Sequence, residues 1–403
     1  MNWYRDLDKS QRRTFAACFA GWALDGLDYQ LYPLIIPVLI AEWHIGKEQA
    51  GLIGTVTLLL SAVGGWLAGQ LADRIGRVRT LQFTILWFSV FTALSGLTQN
   101  AEQLFVTRSL MGLGFGGEWT AGAVLIGEVV AARYRGRAVG IVQSAWAIGW
   151  GVAVLSATLT LQYLPAAWGW RVLFLIGMLP AGMLFFIRRN VSEPEIFQAK
   201  ADRSIRPLAI FQGPILRTTI PAALVMTGMQ GGYHAIVTWL PTYLKTNLGL
   251  SVFGSGQYLA VVIVGSFLGY VSGAFITDLL GRKRHIVIYS LACLATVLGY
   301  THLKIDNDLM LWLGFPLGFF SSGIFSSAGA YLSELFPTAI RGAGQGFSYN
   351  FGRGVGALIP WLIGRLSESL GLGAAIGLFA AGSYALVFLA VAFLPETKGR
   401  ELA

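Results

Sequence analysis

The sequence predicts an all-α membrane protein, with twelve transmembrane helices in two pseudo-symmetric six-helix bundles. Three observations predict it. Of the 403 residues, 55% are hydrophobic and only 12% charged, about half the charged share of a soluble domain, and the mean hydropathy is +0.62. Apolar runs of about 20 residues, the length that crosses a bilayer as helix, recur along the whole chain. Polar motifs of the first half return in the second at a nearly constant offset.

Taken in order, the runs are 14–40, 50–71, 80–98, 103–128, 137–162 and 170–188 in the first half. The second half holds 217–244, 255–280, 285–303, 309–334, 343–366 and 373–394. Short polar turns separate them. The first run is too long for a cleavable leader and no small-residue cleavage site follows a short apolar core, so it is expected to stay as the first span. Between the sixth and seventh runs lies the longest polar stretch, containing SEPEIFQAKADRSIRP. It divides the chain into an N-terminal bundle at 1–188, a central loop at 189–216 and a C-terminal bundle at 217–403. The 51 glycines suit this class, because small residues let membrane helices approach closely. Cys18 and Cys293 both fall inside predicted spans, far apart in sequence, and are assigned neither a disulfide nor a metal.

A net charge of +9 would suit a nucleic-acid binder, but its distribution reads as topology. Lys and Arg concentrate at both termini and in alternate loops, 22 in all, whereas the opposite loops hold only Lys47, Arg171, Lys245 and Lys304. By the positive-inside rule both termini and the central loop are expected on the cytoplasmic side. No nucleic-acid motif accompanies the charge.

The internal repeat is specific. GQLADRIGRVR at 69–79 has its counterpart in GAFITDLLGRKR at 273–284, so that Asp73, Gly76 and Arg77 match Asp278, Gly281 and Arg282 at an offset of 205. Glu128, Arg135 and Gly136 match Glu334, Arg341 and Gly342 at an offset of 206. Each motif follows the same numbered span of its half, as in a duplicated six-helix unit. The sequence Asp73-Arg74-Ile75-Gly76-Arg77, its repeat and RSLMGLGFGGEW at 108–119 resemble the signature loops and fourth-span motif of the major facilitator superfamily. WYRDLD, LDGLD, GEW, WGWR and the closing PETKG are similar to the metabolite:proton symporters within it, with sialate:proton and aromatic-acid:proton carriers as the nearest branches. That resemblance implies a bacterial inner-membrane carrier, monomeric, that needs no cofactor and takes a small carboxylate and a proton.

Asp25 and Asp28 are the first residues to explain. Three positions apart on a helix they share a face, and an aspartate facing lipid at mid-bilayer costs about 2.5 to 3.5 kcal/mol, so both are expected to face a polar interior. Two carboxyls crowded in a partly desolvated site hold a proton more readily near neutral pH. The plain alternative is a structural pairing with a buried cation, and the resemblance to symporters favours proton coupling. Arg108 and Glu118 lie at membrane depth in the fourth run. Ten residues separate them, about 15 Å along a helix, so they are not expected to pair. Arg108 is either part of proton transfer or a partner for an acid of the first span, and Glu118 is a second candidate proton carrier. In SYNFGRGVG, Tyr349, Asn350 and Arg353 precede or adjoin glycines that leave room for a ligand or another helix. The planar fork of Arg353 suits a carboxylate, with a structural ion pair as the alternative. His234 falls 206 residues after Asp28 and is either a substrate contact or a packing residue. Of the many aromatic residues, Tyr29 and Tyr32 are chosen because they share faces with the charges.

The resemblance implies that the loop residues Asp73, Arg74, Gly76, Arg77, Asp278, Gly281 and Arg282, with Glu128, Arg135, Glu334 and Arg341, latch the two halves, more weakly in the second half, where Leu279 replaces the arginine. No Walker loop, zinc-ligand spacing or nucleophile elbow is present, which argues against enzyme chemistry. The reading is a proton-coupled symporter importing a small carboxylated anion by alternating access. Its rivals are an efflux pump, disfavoured because QSAWAIGWGVAVLSATL in the fifth span has no proline, and a transporter-like sensor, which would normally add a signalling domain. Against sialate itself stands the short central loop, where sialate carriers of this resemblance can have extra central helices.

Overall fold

The computed structural model describes residues 4–398 except 131, 180, 183–186, 188–189, 192–209, 304–305 and 338–339. Most of the expected central loop is thus outside the described residues, and so are the side chains of Asp73, Arg74, Arg77, Trp119, Glu128, Arg135 and Arg341. All regular structure among the described residues is helical.

The first half comprises α1 (Lys9–Trp43), α2 (Lys47–Ile75), α3 (Arg77–Ser95), α4 (Ala101–Val129), α5 (Ala132–Tyr163) and α6 (Ala166–Ile176). The second begins with α7 (Gly213–Thr246), α8 (Val252–Leu280) and α9 (Arg282–His302). Its tenth span is three pieces: α10 (Asn307–Gly323), a 3-10 turn at Ile324–Ser327 and α11 (Ala328–Leu335). The eleventh, expected as one run, is broken at Ala357 into α12 (Arg341–Gly356) and α13 (Leu358–Leu370), and α14 (Leu372–Ala392) closes the chain. Among the described residues, eight spans are long and apolar enough by themselves to cross a membrane, α1 with its buried Asp25 and Asp28 included. The spans outside that set include α4, α7 and α12, which carry buried Arg108 and Glu118, Gln230 and His234, and Arg353.

Local sequence explains the boundaries. Asp8 accepts the Gln11 N–H while the Gln11 side chain accepts that of Asp8, a reciprocal cap on the first turn of α1. Gly76 and Gly281 cap α3 and α9 at φ 108° and 96°, a backbone region that strains any residue with a Cβ. The duplicated motif therefore keeps glycine at the same turn in both halves.

Packing repeats as well. α2 lies on α4 as α8 lies on α10. Glycines make both crossings possible: a Cβ at Gly64 or Gly116 would meet the backbone of Leu113 or Ser61, and one at Gly265 or Gly318 that of Phe315 or Val262. The halves meet along two equivalent seams, α2 against α12 and α13, and α5 against α8, with α1 crossing α7 between them. Large apolar side chains such as Trp66, Leu155, Trp312 and Phe393 stand on the outside, the surface that lipid tails would cover.

One end of the central seam is shut. Where α2 begins, Trp361 donates its indole N–H to Glu48 (3.2 Å) and its backbone N–H to the Thr55 hydroxyl (3.1 Å). Nearby, Trp239 donates to the Pro360 carbonyl at 3.0 Å. Gly51 lets the backbone of Pro360 and Trp361 press directly against α2.

Candidate transport site

Asp25 and Asp28 are both fully buried in α1, and each has its own nearest partners. Asp28 accepts a hydrogen bond from Thr92 of α3 at 2.7 Å and lies 4.0 Å from the Arg108 guanidinium of α4. Arg108 sits between the rings of Tyr32 and Phe174, each 5.7 Å from its Cζ. Arg108 thus has an acid of the first span beside it, as one of the two readings of the sequence expected. Asp25, one turn earlier, faces Glu118 of α4 and, across the interface, Arg353 of α12. Neither oxygen of Asp25 nor Oε2 of Glu118 has a hydrogen-bond partner among the described residues.

Arg353 is 4% exposed, with its guanidinium over Tyr349 (5.1 Å) and, from the other half, Phe115 (5.8 Å). It lines a central cavity of about 40 Å³, together with Tyr29, Gln143 and Trp146 of the first half and Gln230, Tyr233, His234 and Tyr349 of the second. Direct hydrogen bonds bridge the halves there: Tyr29 and His234 Nδ1 at 2.8 Å, and the Trp146 indole N–H to the Tyr233 hydroxyl at 2.6 Å. A cavity of this size holds a few waters; an organic acid requires the walls to part. Trp22 and Gln143 also line a second cavity, of about 30 Å³, between α1, α3, α4 and α5, on which Glu118 and Cys18 border.

The structure separates the remaining candidates. Tyr32 donates its hydroxyl to the Ala50 carbonyl at 2.6 Å, tying α1 to α2 rather than facing the cavity. Asn350 turns its amide back onto Gly346 of its own helix at 3.1 Å, so sharing a face with Arg353 does not bring it to the cavity. The room beside Gly352 and Gly356 is filled by Met226 and Gln230 of α7, a helix and not a ligand. In the second-half loop, Arg282 pairs with Glu334 at 2.9 Å and Asp278 at 3.1 Å, next to Gly281. Glu396 of the closing PETKG accepts the backbone N–H groups of Arg282 (2.8 Å) and Lys283 (3.2 Å). Sequence reasoning missed Gln143, Gln230 and Tyr270 of the cavity wall; an amide inside an apolar run was the available signal for the first two.

Comparison with known proteins agrees with this architecture. Residues 18–317 match the family model of the Major Facilitator Superfamily. The chain is 40% identical to a protein of Cupriavidus pinatubonensis (strain JMP 134 / LMG 1197) described as a probable 4-methylmuconolactone transporter, with 98% of this chain and 93% of that one covered. It is 33% identical to the cis,cis-muconate transport protein of Acinetobacter baylyi (strain ATCC 33305 / BD413 / ADP1), with 89% of each covered. A solved proton:xylose symporter bound to 6-bromo-6-deoxy-D-glucose superposes with a TM-score of 0.80 at 18% identity, covering 97% of each chain, which speaks for the fold. The chain belongs to the Major Facilitator Superfamily and is a membrane transporter, not an enzyme.

Proposed function

We propose that the protein is a proton-coupled symporter that imports a small carboxylated organic acid by alternating access. The observation that carries this reading is the confrontation of Arg353, from the second half, with the buried Asp25 of the first, which is itself beside the buried Glu118. Relatives named for 4-methylmuconolactone and cis,cis-muconate support the substrate class.

Charge counting shows how such a site couples two ligands. The buried carboxyls here are three, Asp25, Asp28 and Glu118, and the buried guanidiniums two, Arg108 and Arg353. Asp28 and Arg108 offset each other. With no substrate, one carboxylate of the Asp25–Glu118 pair balances Arg353 and a proton neutralises the other, since uncompensated charge at this depth is costly. A substrate carboxylate that takes the fork of Arg353 displaces its balancing acid, which must then accept a second proton. Anion and proton thus enter together, and the neutral, loaded core is the form free to rock between states. Glu118 borders the second cavity, which gives the proton a route apart from the substrate. The loops at Asp73 and Asp278 act in this scheme as latches between the halves, with both termini in the cytoplasm.

Uptake into proteoliposomes tests the proposal. With an inward proton gradient the wild type should concentrate a carboxylate, whereas the double variant Asp25→Asn/Glu118→Gln, which leaves no acid to balance Arg353, should still exchange it at equal pH without concentrating it. Accumulation by the double variant would remove the acids from the mechanism, and failure of counterflow by the wild type would remove transport of that acid.

A further inference from the structure

The acid pair and Arg353 leave another part of the cavity unexplained. Gln230 and His234 are four residues apart on α7, hence on one face, and both line the cavity beside Arg353. They are 4% and 5% exposed, and Gln230 Nε2 and His234 Nε2 have no hydrogen-bond partner among the described residues, nor has Nη1 of Arg353. Buried polar groups are normally satisfied. We assign the Tyr29 hydroxyl as donor to His234 Nδ1, which leaves the ring proton of a neutral imidazole on the unpartnered Nε2. The residues lining the cavity then offer three unpartnered donors: one charged, on Arg353, and two uncharged, on Gln230 and His234.

The duplication makes this arrangement intelligible. At the offset of 205 set by the loop motifs, Asp25 corresponds to Gln230 and Tyr29 to His234. The positions that hold an acid and its neighbour in the first half hold neutral donors in the second. We infer that Gln230 and His234 form an acceptor subsite, and that the transported acid is a monocarboxylate carrying a second, uncharged acceptor: a lactone, ester or ketone carbonyl, or a ring nitrogen. This rests on the proposed carboxylate site at Arg353. An uncharged second acceptor is selected because the Asp25–Glu118 pair can offset one substrate charge by taking one proton, and a second carboxylate would enter the buried core without a cation. A bare acid is disfavoured for the opposite reason, because it would leave two buried donors unpaired.

The test uses purified full-length protein and two ligand series read by calorimetric titration. Sorbate, the monomethyl ester of muconic acid and muconate share a six-carbon conjugated chain and end in a methyl, an ester and a carboxylate. Benzoate and nicotinate are isosteres differing by one ring nitrogen. The expected result is that an acceptor-bearing monoacid binds at least ten-fold tighter than its bare partner in one or both series, with muconate weaker than its monoester. Gln230→Leu should bring the ratio of acceptor-bearing to bare acid close to one, with residual sorbate binding showing that the variant is folded. No preference in the wild type in either series would overturn the subsite, a result that needs no variant; so would a preference that survives Gln230→Leu. Loss of all acid binding in the wild type would instead strike the Arg353 site on which the subsite depends, and Arg353→Ala binding the acids as the wild type does would do the same.

Discussion

Asp28→Asn and Arg108→Gln, singly and together, separate structure from coupling. Asp28 and Arg108 are 4.0 Å apart and both nearly sealed from solvent, at 0% and 1% exposure. At an effective dielectric of about 20, two unit charges at that distance attract by about 4 kcal/mol. Either single substitution forfeits that attraction and leaves its partner as a buried, uncompensated charge, a loss of roughly 3 to 5 kcal/mol. Asp28→Asn keeps an oxygen for the 2.7 Å hydrogen bond from Thr92, so the cost falls on the ion pair. The double variant removes both charges and should regain most of the loss, because replacing both members of a buried pair is often close to neutral. The assay is the recovery of monodisperse protein after heating in detergent, measured for all four proteins and combined as a double-mutant cycle. Singles as stable as the wild type, or a double variant as poor as the sum of the singles, would show that the pair does not hold the first bundle together. It would also return Asp28 to the proton-coupling role that the sequence suggested for it together with Asp25.

Three further outcomes follow from the geometry. If one carboxyl of the Asp25–Glu118 pair takes one proton per substrate charge, uptake of a monocarboxylate is electroneutral: a pH gradient should drive it, and a potassium–valinomycin potential at equal pH should not. A Cβ at Gly51 would lie 2.6 Å from the Pro360 carbonyl, where ordinary contact starts at 3.4 Å, a shortfall of 0.8 Å against rigid backbone; overpacking of this kind costs about 1 to 3 kcal/mol. Gly51→Ala should therefore open the seam several-fold or more, read as faster thiol labelling of Thr55→Cys in a background lacking Cys18 and Cys293, and an unchanged rate would count against the seam as the closing contact. Partial burial pushes the Glu396 carboxyl up, but the backbone N–H groups of Arg282, Lys398, Thr397 and Arg284 outweigh it and hold the group below its ordinary value. The tail's contribution is thus complete above the unfolded carboxylate range of about 4.3 and is lost as pH falls through the lower, folded value; amide exchange at Arg282 and Lys283, corrected for intrinsic rate, should rise there and should be fast at neutral pH in Glu396→Gln.

The fold was legible because its signals are long and redundant. Twelve apolar runs need only composition, and the offset of 205 needs only two loops, each fixed by a glycine at positive φ, Gly76 and Gly281. The breaks were not legible: nothing local in IFSS at 324–327 or around Ala357 separates a bent span from a straight one, and the bends depend on what packs against them. Within the site, burial of Asp25, Asp28, Arg108, Glu118 and Arg353 could be read from the cost of charge in lipid. Their pairing could not. Helical spacing places Asp25 and Asp28 on one face, yet Thr92 and Arg108, which claim Asp28, come from α3 and α4, and Glu118, which claims the company of Asp25, comes from a different turn of α4. Tyr32 and Asn350 failed for the same reason, since backbone carbonyls at Ala50 and Gly346 lay closer than the cavity.

The two kinds of repeat in this chain make different demands on sequence. The loop motifs recur around equivalent turns, so Gly76 and Gly281, both at positive φ, stand in register, as do Arg77 and Arg282. The charges at the core have no such counterparts: at an offset of 205, Arg108 corresponds to Leu313, Glu118 to Gly323 and Arg353 to Ile148. A symmetric core would present each half with the same ligand chemistry, and nothing in it would oblige a proton and an anion to travel together. Divergence at these positions puts acids on one side of the cavity and a guanidinium with neutral donors on the other. In the proposed scheme coupling then needs no relay across the molecule, because Asp25 and the substrate carboxylate would compete for the same cation, Arg353.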